Sequence, residues 1–198
     1  MKTSICSMVL FFLFTISIFS QKDWKFSSIS VSTGETSLTK GLTFSGSISS
    51  EHKTIVADLN AELGQALLFY DFSDHFSVGP TVGFYKNVLW FAPIASTSLF
   101  NSHIKTLHWG GWSFGNSETS KNETKAIFMF SYQQISICTK SLEVSYALQH
   151  YYRFSPEHIF SLKRTINFNE NLSAFFSGGY MKTAQKYLWA MGASYNFN

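Results

Sequence analysis

The residues that could do chemistry are few and scattered. His75-Phe76-Ser77 sets an imidazole two positions from a hydroxyl, and such a pair makes a nucleophile when the base lies within hydrogen-bond reach. Asp71, Asp74 and His75 bring two carboxylates and an imidazole into five residues, a set that could hold a metal or run acid–base hydrolysis. The same residue types also make an ordinary solvated turn, because Asp and Ser side chains bond the backbone where a chain reverses. The turn is the simpler reading, and no catalytic, cofactor-binding or metal-ligating residue is assigned. His103 and His108 are five apart, so on a strand they point to opposite faces and cannot share a metal. His150 and His158 flank a turn, but two histidines alone make no metal site. No phosphate-binding Gly-rich loop, nucleophile elbow or zinc-protease motif occurs.

The elements that carry these residues read as strands. Near the C-terminus Leu172, Ala174, Phe176, Gly178 and Tyr180 alternate with Ser173, Phe175, Ser177 and Gly179. After residues 182–185, Tyr187, Trp189, Met191, Ala193, Tyr195 and Phe197 alternate with Leu188, Ala190, Gly192, Ser194 and Asn196. A period of two puts one set on each face of a sheet. The Tyr187 to Phe197 set is large and aromatic, and the other is mostly small. A water-facing sheet would expose charge instead. Lipid outside and a crowded or wet lumen inside suit this pattern.

Composition agrees. The 198 residues allow one domain. Charged residues are 14%, against the roughly 25% of soluble domains, while aromatics reach 18%. Mean hydropathy is only +0.02, as an alternating barrel averages its two faces. Lys2 and the apolar run 8–19 read as a signal peptide, with cleavage near Ser20 or Gln21. The run is too short for the ~20 residues of a spanning helix. Residues 1–20 are thus the targeting segment and 21–198 the folded domain. Removal takes Lys2, so the mature net charge is 14 − 12 = +2. No basic cluster points to nucleic acid. Cys138 is the one cysteine left, so no intrachain disulfide forms.

Along the chain, residues 24–34 make a weak strand whose alternation slips between Phe26 and Ile29. Residues 55–70 alternate almost without a break and read as one long strand. Pro80 and Pro93 mark irregularities, since proline cannot donate to a ladder. Residues 115–125 are the most polar stretch and read as an exposed loop. Turn signals recur roughly every 10–18 residues, which predicts a meander of hairpins. The expected fold is all-β: a closed antiparallel up-and-down transmembrane β-barrel of about ten strands. Eight and twelve are the alternatives, twelve if the long strand splits and residues 24–34 join.

Faces follow from parity. Asp58, Asn60, Glu62, Glu143, Gln149, Lys163 and Asn167 lie opposite large apolar residues. Charge in lipid is expensive, so these are the lumen candidates. Asp58, Glu62, Glu143 and Lys163 together carry 1 − 3 = −2. Trp109, Trp112, Tyr146, Tyr180, Tyr187 and Trp189 are expected at strand ends, where amphipathic rings suit the headgroup level.

These features together, with a terminal Tyr195-Asn196-Phe197-Asn198, resemble the small outer-membrane β-barrel proteins of Gram-negative bacteria. The resemblance implies outer-membrane location, contact with outer-membrane lipid, and export followed by insertion through the barrel-assembly machinery. In that group a terminal aromatic is the assembly signal, and Phe197 is the candidate here, although Asn198 follows it. It also implies a last strand ending on the periplasmic side, with residues 71–75, 101–102, 138–141 and 167–171 as short periplasmic turns. The expected role is non-enzymatic: structural, binding or narrowly porin-like, with a largely plugged polar lumen and no cofactor. An outer-membrane enzyme acting on lipid or peptide, and a secreted soluble β-sandwich or lipocalin-like binder, are the alternatives.

Overall fold

The computed structural model describes residues 23–37, 39–85, 88–115, 126–151 and 154–197. Residues 1–22, on which the signal-peptide expectation falls, most of the polar 115–125 stretch and Asn198 lie outside the described residues.

Twelve strands form among the described residues: β1 (Lys25–Glu35), β2 (Lys40–Ser50), β3 (Lys53–Asn60), β4 (Leu63–Ser73), β5 (Phe76–Tyr85), β6 (Val88–Leu99), β7 (Ile104–Gly115), β8 (Ala126–Cys138), β9 (Leu142–Tyr151), β10 (Glu157–Asn167), β11 (Leu172–Met181) and β12 (Lys186–Asn196). Each pairs antiparallel with its neighbours in sequence, and β1 pairs with β12 to close the barrel. Closure satisfies the sheet-edge backbone groups that lipid would leave unpaired.

The count of about ten strands is therefore corrected to twelve. Two local features hid the extra pair. The stretch 55–70 is a hairpin, with Leu59 paired to Gly64 across Ala61-Glu62. That turn has no Gly or Pro. Asn60 makes it instead: its Oδ1 accepts from the Glu62 amide at 3.1 Å, and its Nδ2 donates to the Leu42 carbonyl at 2.7 Å. A two-residue turn also exchanges odd and even positions. Ile55, Ala57 and Leu59 face outward, but Leu63, Leu67 and Phe69 face inward, although all share odd numbers. The second feature is β1, whose slipped alternation is a β-bulge: Phe26 pairs with Ile48, yet Ser28 pairs with Ser47.

Both chain ends lie at one mouth of the barrel, since Ser28 pairs with Asn196. The turns after β2, β4, β6, β8 and β10 share that mouth. β7 ends and β8 begins at the opposite mouth. The outer wall is a largely apolar surface that includes Val31, Phe44, Val82, Phe91, Ile135, Val144, Leu162, Phe176 and Met191, all exposed. Water does not tolerate an apolar surface of this extent, whereas lipid does. A soluble sandwich or lipocalin-like binder is excluded by this exterior.

Candidate functional site

The candidate site is the lumen, and its two halves are built differently. The wall formed by β11, β12, β1 and β2 carries mostly small groups, with Phe175 and Leu188 as large exceptions. Ser28 bonds Ser47 at 2.7 Å and Ser173 bonds Ser194 at 2.8 Å, with Ser30, Ser32, Ser45 and Ala190 at neighbouring inward positions. The facing wall, β5 to β9, is bulky. Trp90 meets Trp109 edge-on with centroids 5.0 Å apart, and Trp109 meets Tyr132 edge-on at 5.8 Å. Phe130 contacts both tryptophans, at 5.9 and 6.0 Å. Small residues on one wall leave room for rings on the other.

The inner face is packed where an open pore would be wet. Thr81 and Ala92 are 0% exposed and Ile94 is 1% exposed, all pointing inward on β5 and β6. Twelve strands lie between the roughly eight that side chains can fill and the 16–18 that leave a channel. The bulky wall occupies part of that interior.

Each polar candidate has a definite place. Asp58 faces inward and accepts from Gln65 Nε2 at 2.6 Å. Asn60 is buried at the 61–62 turn. Gln149 is buried on β9, and its Nε2 donates to the Tyr151 hydroxyl at 2.6 Å. Glu143 and Lys163 are register partners on β9 and β10 and face inward together. They form no ion pair within 4 Å; Lys163 Nζ instead sits 4.7 Å from the Phe175 ring centroid. Asn167 ends β10 on the inward parity. Glu62 is the exception, since it lies in the turn at the mouth and not on a strand face, 3.4 Å from the Tyr85 hydroxyl. The parity rule missed further inward charges, Asp71 and Lys105 among them, because bulges and turns near them obscure the alternation.

Among the aromatic candidates, Trp112, Tyr146, Tyr180, Tyr187 and Trp189 face outward, and Tyr180 meets Tyr187 at 5.2 Å near one mouth. Trp109 does not; it points into the lumen and is corrected from girdle to core. Its parity partners Lys105 and Ser113 were the available signal. Phe197 packs against Tyr195 at 5.0 Å and Phe26 at 6.0 Å, beside the seam that closes the barrel.

No family model and no curated protein matches the chain. Solved structures do. The KdgM porin is 10% identical with a TM-score of 0.51, covering 88% of this chain and 100% of that one. The KdgM porin in complex with disordered oligogalacturonate is 12% identical with a TM-score of 0.57, covering 86% and 99%. The fold is that of a porin-type barrel. At such identity the likeness speaks for fold alone, so the lumen of this chain has to be read on its own.

Two cavities open from the mouths of this barrel. One, of about 270 Å³ at the mouth shared by the chain ends, is lined by Asp74, His75, Lys105, Gln134, Ser136 and Glu143 among others. The other, of about 220 Å³ at the opposite mouth, is lined by Ser32, Thr36, Thr43, Asp58 and Gln65 among others. They share no lining residue. His75 and Ser77 both line the first cavity, but the Ser77 hydroxyl donates to Asp71 at 2.5 Å and is not bonded to His75. Among the described residues no cluster of three His, Cys, Asp or Glu could hold a metal.

Proposed function

We infer that this chain is a non-enzymatic outer-membrane barrel with a narrow, largely plugged, porin-like lumen. One observation carries the reading. Inner-face side chains at Thr81, Ala92 and Ile94 are fully buried, which supports a passage narrowed by protein side chains. The porin-type fold and the apolar exterior support the location. The mouths take up small polar solutes. Gln65 Oε1, Trp109 Nε1 and Gln149 Oε1 are buried without a partner among the described residues, and they supply hydrogen-bonding capacity to water or solute there.

Charge narrows the solute class. The strands direct Asp58, Asp71 and Glu143 inward against Lys105 and Lys163, a balance of 2 − 3 = −1. Oligogalacturonate, the ligand of one KdgM structure, is a polyanion, and a lumen of this charge disfavours it. Neutral and weakly cationic solutes fit.

Planar-bilayer recording tests the reading. The expected result is low conductance with weak cation preference. A large, anion-selective wild-type pore would refute it.

A further inference from the structure

The apolar outer wall is interrupted on one side. On β7 and β8, His108 and Gln133 stand directly opposite each other, both exposed and both pointing away from the lumen. Their direction is set by their neighbours. Trp109 and Tyr132, one position along each strand, meet inside the barrel, while Ile135 and Ile137 share the outward parity of Gln133 and are exposed. His108 is the fifth residue of β7 from the mouth at the chain ends, and Gln133 the sixth of β8. A strand needs about 9–11 residues to cross a bilayer, so this pair sits near mid-depth.

Neither side chain has a hydrogen-bond partner among the described residues. Thr97 and Thr106, another polar pair on this wall, bond each other at 2.8 Å, so they need nothing from outside. The surface is flat on one side of His108 and Gln133, where Pro93, Ala95, Gly110 and Ser131 occupy the adjacent outward positions, while Leu148 and Ile135 stand beside Gln133 on the other. Small residues allow two membrane surfaces to approach closely, and an unpaired polar side chain in lipid is costly until it finds a partner.

We propose that the β6–β8 wall is an interface with a second copy of this chain, related by a two-fold axis along the membrane normal. The chemistry is self-complementary. Gln offers a donor and an acceptor, neutral His offers one of each, and a two-fold axis sets His108 of each copy against Gln133 of the other. One patch thereby satisfies itself. Mid-depth position keeps water-soluble partners away from it.

The test uses the full-length protein, refolded or purified as a heat-modifiable barrel, in detergent and in liposomes. Native mass spectrometry should give a dimer for the wild type and a monomer for His108→Leu with Gln133→Leu. Cysteine cross-linking adds a measurement that leaves His108 in place. On a Cys138→Ser background, Gln133→Cys should cross-link across copies, while Met191→Cys on the far wall should not. A wild-type monomer in both media, a dimer unaffected by the double substitution, equal cross-linking at both cysteines, or a stoichiometric different protein on this wall would each overturn the proposal. Lumen conductance is expected to be unchanged in the double variant, so failure here is distinguishable from failure of the porin-like reading.

Discussion

Pro80 and Pro93 face each other across β5 and β6. Neither has an N–H to give, so a ladder that set either donor against its neighbour would lose bonds. Placed opposite each other, they turn the missing donors outward from the pair. The β4–β5 pairing skips from Leu67–Thr81 to Tyr70–Val78, and the β6–β7 pairing skips from Phe91–Trp112 to Ile94–Trp109. Register is kept across both gaps. Glycine lies at each: a methyl group on Gly79 would run into the Leu68 carbonyl oxygen, and one on Gly111 into that of Phe91.

Gly79→Ala and Gly111→Ala should each therefore destabilise the barrel, by roughly 1–3 kcal/mol as overpacking does. Urea unfolding in lipid vesicles measures the loss. Gly178→Ala is the control, because nothing lies within 4 Å of where its added methyl group would sit. Equal stability of all three variants would contradict the close approach.

The outward and inward sets differ in their tolerance of charge. Met191 is 47% exposed on the outer wall, and Met191→Arg should cost about 2–4 kcal/mol near mid-bilayer. Leu148→Arg should behave alike. Ser194→Arg and Ser145→Arg point into the lumen and should cost less. Insertion yield and unfolding midpoint are the readouts, and equal tolerance at Met191 and Ser194 would contradict the assigned faces.

The turn at residues 61–62 rests on a single side chain. Asn60→Ala removes the acceptor for the Glu62 amide and the donor to the Leu42 carbonyl in a buried position. The expected cost is about 1–3 kcal/mol, since a buried group is left unsatisfied. Asn60→Asp, which keeps the acceptor but loses the donor, should recover part of it. Thermal unfolding that is unchanged in Asn60→Ala would show that the turn has another support.

The plug is tested by removing rings. Trp109→Ala with Trp90→Ala deletes two of the side chains that fill the bulky wall. Conductance should rise several-fold while the apolar exterior and heat-modifiability persist. Trp112→Ala, on the outer wall, should leave conductance unchanged. A double variant no more conductive than the wild type would place the barrier elsewhere.

Much of this molecule is written in nearest-neighbour terms. The period of two in Tyr187 to Phe197, and in Leu142 to Gln149, is a local property of extended chain, and it identified strands, an apolar exterior and a barrel. Low charge and the 18% aromatic content narrowed the surroundings to lipid in the same way. Strand number was not local. Ala61-Glu62 lacks the residues that usually mark a turn, and Asn60 closes it only once Leu42 on another strand is in place. Nor was the inward aromatic cluster. Trp109 and Trp112 are three apart on one strand and equally apolar, so which of them meets Trp90 depends on how β6, β7 and β8 are registered. The same registers set His108 beside Gln133, 25 positions along the chain, and Pro80 against Pro93. Alternation states that a strand has two faces; closure of the barrel decides which face is inside and what each residue meets there.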